Sequence, residues 1–252
     1  MGQHQSTLAE NFLRYFDVAL AKTDAQKRDV YGIRYSVYCS EFKYEPAHLY
    51  PDHLETDEFD DASLHGLITH KATGIPAGCV RLVTPQMANG RETLPFERNC
   101  EEALDKEFVA GLNISRSTVC EISRLAVDGA FRRRPGEKTT RFGEVGGLDC
   151  TQQERRTFSM IAVACFLTAT ALIDLSGRSS VFAMMEPFLP RLLRRSGILF
   201  QRAGNDIDYH GVRAPYFVTH QSLMDNILPD LNQLYLEIHS RVEKDYSPSK
   251  GR

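Results

Sequence analysis

The run Cys120-Glu121-Ile122-Ser123-Arg124-Leu125-Ala126-Val127 is β-prone, yet it holds an acid and a base three residues apart, and a basic loop, Phe131-Arg132-Arg133-Arg134, follows at once. Charge inside a strand is costly unless it is paired or faces water, because an unpartnered buried ion neutralises itself or destabilises the fold. Any fold of this chain must therefore bring partners to a central strand over residues 119–127. The upstream candidates are Arg34 in Arg34-Tyr35-Ser36-Val37-Tyr38, Asp57 and Asp60 in Glu55-Thr56-Asp57-Glu58-Phe59-Asp60, and Arg81 inside the apolar Gly78-Cys79-Val80-Arg81-Leu82.

Around that strand the pattern reads as α/β. Leu8, Phe12, Phe16 and Leu20 recur at helical spacing over residues 8–21. A second helix is expected after Asp24 as N-cap, with Val30, Ile33 and Val37 on one face and Arg34 and Tyr38, four apart, on an adjacent one. Residues 62–70 and 77–84 read as strands joined by Lys71-Ala72-Thr73-Gly74. Residues 86–118 read as irregular, anchored at Leu94-Pro95-Phe96. Thr151-Gln152-Gln153-Glu154 fits a capping box opening a long helix to about residue 175, which Gly177 ends. A strand over 180–185, a helix from Pro187 to Gly197 and strands over 198–202 and 212–220 follow. The tail 222–246 is helical and broken by Pro229. This order predicts one domain over residues 1–246, a mixed sheet flanked by helices, with residues 247–252 a disordered tail.

With 252 residues, 42% of them hydrophobic, the chain is long enough for one generous core. Its net charge of -3 gives no global pull toward nucleic acid. The six cysteines have no metal-ligand or redox spacing, so no metal is expected and the thiols read as reduced in a cytoplasmic protein. The amino terminus lacks the regions of a secretory signal. The apolar run 158–173 is interrupted by Ser159, Thr168 and Thr170 and falls short of the ~20 residues that span a bilayer, so it reads as a buried helix with no transmembrane segment in the chain.

The order Arg34, Tyr38, Tyr44, Asp57, Asp60, Arg81, Glu121, Arg124 resembles the motif of the acyl-homoserine lactone (autoinducer) synthases and of their relatives, the N-acyl amino acid synthases. The phrases Tyr15-Phe16-Asp17-Val18 and Arg34-Tyr35-Ser36-Val37-Tyr38-Cys39 resemble the acyltransferases associated with exosortase/PEP-CTERM systems. The likeness spans roughly residues 10 to 130. It implies a GNAT-like acyltransferase fold in which the strands holding Glu121 and Val181 splay apart around a pantetheine arm. It also implies transfer of a long-chain acyl group from acyl-phosphopantetheine, on acyl carrier protein or CoA, to an amino acid or similar small amine. No tightly bound cofactor is implied. Lactone synthases carry a tryptophan where S-adenosylmethionine is handled; this chain has none, and Tyr44 is the nearest aromatic. The resemblance thus leans toward amino-acid acylation, with a lactone synthase or a non-catalytic acyl-thioester-binding module as alternatives.

Within that resemblance Glu121 is either the general base or a salt-bridge partner of Arg34 or Arg81. In a regular strand it would point away from Arg124, and a bulge would change that. The resemblance makes Leu125, Ala126 and Val127 the donor-binding stretch, whose backbone N–H groups are placed to stabilise an oxyanion. Asp57 and Asp60 are candidates to hold an ammonium while Arg34, Arg81 or Arg124 grips a carboxylate beside Tyr38 and Tyr44. The same residues equally compose a closed ion-pair network or cap a turn. Arg132, Arg133 and Arg134 are either phosphate and carrier-protein contacts or a solvated turn. The phosphate loop (Arg or Gln)-x-x-Gly-x-(Gly or Ala) is half present, departing at Lys138, which favours a single phosphate and an acidic carrier protein. Phe166, Leu167, Val181, Phe182, Met184 and Met185 form a candidate acyl wall, though each is also an ordinary core residue. Tyr209, His210 and Tyr216 are candidate proton donors to a leaving thiolate.

Overall fold

The computed structural model describes residues 6–88, 91–132, 151, 154 and 157–247. Its strands are β1 (Phe16–Leu20), β2 (Leu64–His70), β3 (Pro76–Val83), β4 (Gln86–Ala88), β5 (Arg91–Thr93), β6 (Val119–Val127), β7 (Ser180–Met185), β8 (Gln201–Arg202), β9 (Ile207–Asp208) and β10 (Val212–Thr219). The described α-helices are α1 (Leu8–Tyr15), α2 (Asp24–Arg34), α3 (Pro95–Cys100), α4 (Lys106–Gly111), α5 (Ile161–Leu175), α6 (Leu189–Arg194), α7 (His220–Asn226) and α8 (Pro229–Asp245). The main sheet runs β1-β2-β3-β6-β7-β10-β8, with β9 paired to β10. Its neighbours are antiparallel except β6 and β7. This is the mixed α/β sheet expected from the element order.

The parallel pair at the centre requires a crossover, and α5 lies within it. This helix is apolar all round, and it is buried against β2, β3, β6 and α8. It lies close because two strand positions have no side chain: a Cβ at Gly66 would stand 2.5 Å from Thr168 Cγ2, and one at Gly78 would stand 2.8 Å from Ile161 Cγ2. Thr168 cannot easily yield, since its hydroxyl donates to the Ala164 carbonyl at 2.7 Å.

Several expectations change in the structure. The single helix over residues 8–21 is a helix followed by a strand. Phe16, Val18 and Leu20 alternate into the core against β2, a pattern that four-residue spacing also satisfies. The N-cap of α2 is Thr23 rather than Asp24, locked by a reciprocal box with Gln26. Residues 86–118 hold a short hairpin, α3 and α4 rather than irregular chain, each too brief to show a period. Leu94 and Phe96 are buried there as anchors.

The strand expected over 198–202 is only Gln201–Arg202, and the helix expected from Pro187 is Leu189–Arg194. Residues 119–127 and 180–185 are strands, and Gly74 and Gly177 adopt the left-handed conformation at their turns. Thr151 and Glu154 exchange the capping-box bonds, both at 3.2 Å, although α5 itself begins only at Ile161. Among the described residues no helix is long and apolar enough to cross a membrane.

Because Gly66 is the contact point of helix and sheet, Gly66→Val should lower unfolding free energy by about 1–3 kcal/mol in a denaturant titration. An unchanged midpoint would show that α5 can move off the sheet at little cost.

Candidate active site

The centre of the sheet opens along β6. Its parallel pairing with β7 covers only Val119↔Ser180, Cys120↔Val181 and Glu121↔Phe182, and beyond Glu121 the two strands part. On its other edge, β6 pairs with β3 in register at Arg81↔Ser123, then shifts before Cys79↔Ala126. That extra residue is a β-bulge. Arg124 occupies it with φ of 50°, a left-handed conformation costing a non-glycine residue about 1–2 kcal/mol. The twist brings the Arg124 side chain to the acids that also surround Arg81, on the face of the sheet that carries Glu121 and Ser123.

What holds the strained arginine is a buried ion lattice. Arg34, which precedes a π-helical turn over Tyr35–Glu41, donates to Glu55 and, at 2.6 Å, to Asp60. Arg81 donates to Asp60 at 2.8 Å, to Asp57 at 2.5 Å and to the Ser123 hydroxyl at 3.1 Å. Arg124 reaches Glu55 at 3.1 Å and Asp57 at 3.2 Å, and lies 5.7 Å over the Tyr38 ring. Tyr38 in turn donates to the Leu125 carbonyl at 2.8 Å, tying helix to bulge. Burial alone would raise the carboxyls of Glu55, Asp57 and Asp60. Their arginine neighbours outweigh it and hold all three below the ordinary range. His65 donates to the Asp60 carbonyl, and burial keeps it neutral with a pKa lowered to about 4.

Three connected cavities flank the bulge. A polar one of about 70 Å³ is bounded by Tyr44, Glu45, Cys100, Glu121, Tyr209, His210 and Arg213. Through Tyr38, Ser123, Arg124 and Met184 it meets a second, of about 150 Å³, in the gap between β6 and β7. The latter runs over Leu125, Ala126, Val127 and Phe166 to Leu189, where it joins an apolar third cavity of about 250 Å³ under α6. Glu121 is buried, and burial pushes its carboxyl up to about 8 despite the 2.8 Å bond from the Phe96 N–H. Cys100 in the same cavity is pushed up to about 11, chiefly by burial, so it offers no ready thiolate.

The sequence candidates thus separate by position. Arg124, Tyr38, Tyr44, Leu125, Ala126 and Val127 line the cleft, and Glu121 lines its polar end. Arg34, Asp60 and Arg81 are buried behind it and hold the residues that reach it; Asp57 forms the partly exposed edge. Their places correspond to the ion-network alternative rather than to direct contact with a substrate. Two donor-side expectations are corrected. Phe182 stacks on Phe96 at 4.8 Å in a separate core and does not border the three cavities, whereas Phe166, Met184 and Met185 do. Arg132 is no free phosphate contact: it is buried, bonds the Val127 carbonyl at 2.5 Å and pairs with Glu41. Arg133, Arg134, Lys138 and Arg141 lie outside the described residues. Tyr216 packs in the core, away from Tyr209 and His210.

Glu55, Glu45 and Arg213 were not among the sequence candidates. Glu55 stands in the same acidic run as Asp57 and Asp60. Arg213 bears the signal that picked out Arg81, a lone cation inside an apolar strand. Among the described residues no cluster of His, Cys, Asp and Glu could hold a metal ion.

The lattice sets an acid limit on stability. Glu55, Asp57 and Asp60 are held below their unfolded values, so their contribution is complete above about pH 4 and is lost as pH falls through the folded-state values. Asp60→Asn should cost about 3–5 kcal/mol at neutral pH, because two buried guanidinium groups lose a shared partner. Its stability should also fall less steeply on acidification than the wild type. Parallel pH profiles of the two would refute the assignment.

Residues 33–141 match the family model described as an acetyltransferase (GNAT) domain. No curated protein matches the sequence. Among solved structures, TofI, in a ternary complex with an inhibitor and MTA, superposes with a TM-score of 0.56 at 19% identity over 86% of this chain and 99% of its own. BjaI, a CoA-dependent acyl-homoserine lactone synthase with SAM and isopentyl-CoA, gives 0.58 at 14% over 94% of each chain. FeeM, an N-acyl amino acid synthase from uncultured soil microbes, gives 0.53 at 11% over 86% of this chain and 97% of its own. At such identities the likeness is one of fold. The match takes in β6, the residues of the ion lattice and only the last two residues of α2; over that stretch the chain is similar to a GNAT acetyltransferase domain, and as a whole it has the fold of these synthases.

Proposed function

We propose that this acyltransferase moves a long-chain acyl group from an acyl carrier protein thioester to the amino group of an amino acid. The observation that carries the reading is the junction at Arg124. There a polar cavity holding a carboxyl raised to about 8 opens onto an apolar gap between two splayed strands.

In this reading the acyl chain lies over Phe166, Met184, Met185 and Leu189, and the thioester carbonyl rests beside the bulge. Methionines conform to a flexible chain. Backbone N–H groups of the stretch Leu125 to Val127, which lines the gap, stabilise the oxyanion. Arg124 adds a fixed positive charge, and Tyr38, a phenol with its pKa raised by burial to about 12, stays protonated while it holds the Leu125 carbonyl.

The acceptor enters as an ammonium. Ionised Glu121 takes one proton and passes it to solvent, and the freed nitrogen attacks the thioester carbon. As the C–N bond forms and the C–S bond breaks, the second nitrogen proton goes to the departing sulfur. A carboxyl titrating near 8 is suited to this task, because it is basic enough to deprotonate an amine and is still ionised in part near neutrality. The polar cavity beside Glu121 has room for the head of a small amino acid. Together with the absence of tryptophan, this favours amino-acid acylation over lactone synthesis.

On the donor side, α6 borders both apolar cavities and presents Arg191, Arg194 and Arg195 beside the exposed Phe188 and Leu192. Cations around an apolar entrance suit an acidic carrier protein delivering a lipid chain.

Expression in a bacterial host followed by mass spectrometry of organic extracts should yield N-acyl amino acids. Acyl lactones, or no acylated amine, would defeat the proposal. For Glu121 as base, Glu121→Gln should lower kcat by about 10²-fold or more and abolish the rise in rate with an apparent pKa near 8. Because that pKa is raised, the carboxyl's stabilising contribution is present below about 4.5 and is lost as pH rises toward 8, so Glu121→Gln should also flatten the alkaline fall in stability. If the variant keeps the wild-type rate and pH profile, Glu121 is structural only. Charge reversal at Arg191 and Arg194 should raise KM for acyl carrier protein about tenfold and leave short pantetheine thioesters unaffected. Equal effects on both donors would exclude docking at α6.

A further inference from the structure

We infer that Arg213, on β10, is the residue that selects acceptors bearing a carboxylate; the inference rests on the acylation of amines proposed above. Arg34, Arg81 and Arg124 are all spent on Glu55, Asp57 and Asp60. The one other acid lining the polar cavity besides Glu121 is Glu45, which stands 3.4 Å from His210 and 3.6 Å from Arg124. Arg213 lines the polar cavity and the gap alike, and among the described residues it has no ion pair. Its Nε is buried without an acceptor.

Two further features make this arginine a receptor for an anion. A guanidinium stays charged in a protein, so a site containing it is completed only by a negative group. Its plane is also held: the guanidinium carbon lies 5.3 Å over the Tyr44 ring, and Tyr44 is itself stacked on Phe42 at 5.5 Å. A preset fork accepts a carboxylate through two parallel hydrogen bonds. Glu121 bounds the same cavity of about 70 Å³, so a molecule with an amine and a carboxylate on one carbon is able to meet both.

The test uses the whole protein with an acyl carrier protein thioester. It compares a pool of the protein amino acids with the matching pool of their methyl esters, reading products by mass spectrometry. The wild type should prefer the acids by roughly 10- to 100-fold in kcat/KM, the range for a hydrogen-bonded charge pair. Arg213→Gln should lose that preference through KM for the acid, with kcat/KM for the acids falling about tenfold or more beyond any change for the esters. Arg213→Lys, which keeps the charge without the fork, should recover part of the loss and serves if the glutamine variant folds poorly. A wild type that acylates esters as well as acids, or variants that lose both equally, would overturn the selection by Arg213 while leaving amine acylation standing. A wild type that acylates no amine at all would remove both.

Discussion

Asp60 Oδ1 lies between two guanidinium groups, 2.6 Å from Arg34 and 2.8 Å from Arg81, and the arrangement of the cleft depends on that shared oxygen. Arg34 belongs to a helix and Arg81 to the sheet, so the carboxylate joins two layers that contact each other elsewhere through apolar side chains. Its other oxygen accepts the Asp57 N–H at 2.7 Å, which fixes the loop that brings Glu55 and Asp57 to Arg124. Buried ion pairs give little net stability compared with apolar packing of the same volume. Their value here is directional: hydrogen bonds at stated angles hold Arg124 in a left-handed conformation that apolar contact would not enforce.

The same lattice explains why the two sides of the cleft differ chemically. Three arginines and three acids balance inside it, leaving Glu121, two residues before Ser123 on β6, buried at the wall of the polar cavity with Phe96 and Met184 near. Among the described residues no guanidinium donates to Glu121, and so burial raises its carboxyl while the carboxyls of the lattice fall. Opposite shifts in acids of one site are a mark of distinct roles. Arg213 has the complementary standing, a cation the lattice does not neutralise.

Much of this was legible in the sequence, for identifiable reasons. Strand β7 shows an apolar run with clear borders, β6 a β-prone run marked by its internal acid and base, and the capping pair Thr151 and Glu154 declares itself locally. The ion lattice could be anticipated because charge within a strand demands partners. What could not be read was which charges face the cleft. That depends on the bulge, which is a relation between β6 and β3 and has no signature in either strand alone. Strand β1 was hidden because a spacing of four is common to a helix face and to one side of a strand. The arginine run offers Arg132 as a phosphate or carrier-protein contact or as part of a solvated turn, whereas its pairing is with Glu41, distant in the chain, and with the Val127 carbonyl.

The bulge and the splay are one mechanical feature. Strand β6 is held to β7 only as far as Glu121, and immediately beyond that point its other edge slips register against β3. A strand that gains a residue on one side twists more strongly, and its backbone leaves the plane in which β7 could follow it. Separation of the strands exposes backbone polar groups that must find other partners. At Leu125 the carbonyl finds the Tyr38 hydroxyl, and at Val127 it finds Arg132. Both carbonyls are therefore satisfied from outside the sheet, and the strand keeps its course past the splay without β7 as a partner.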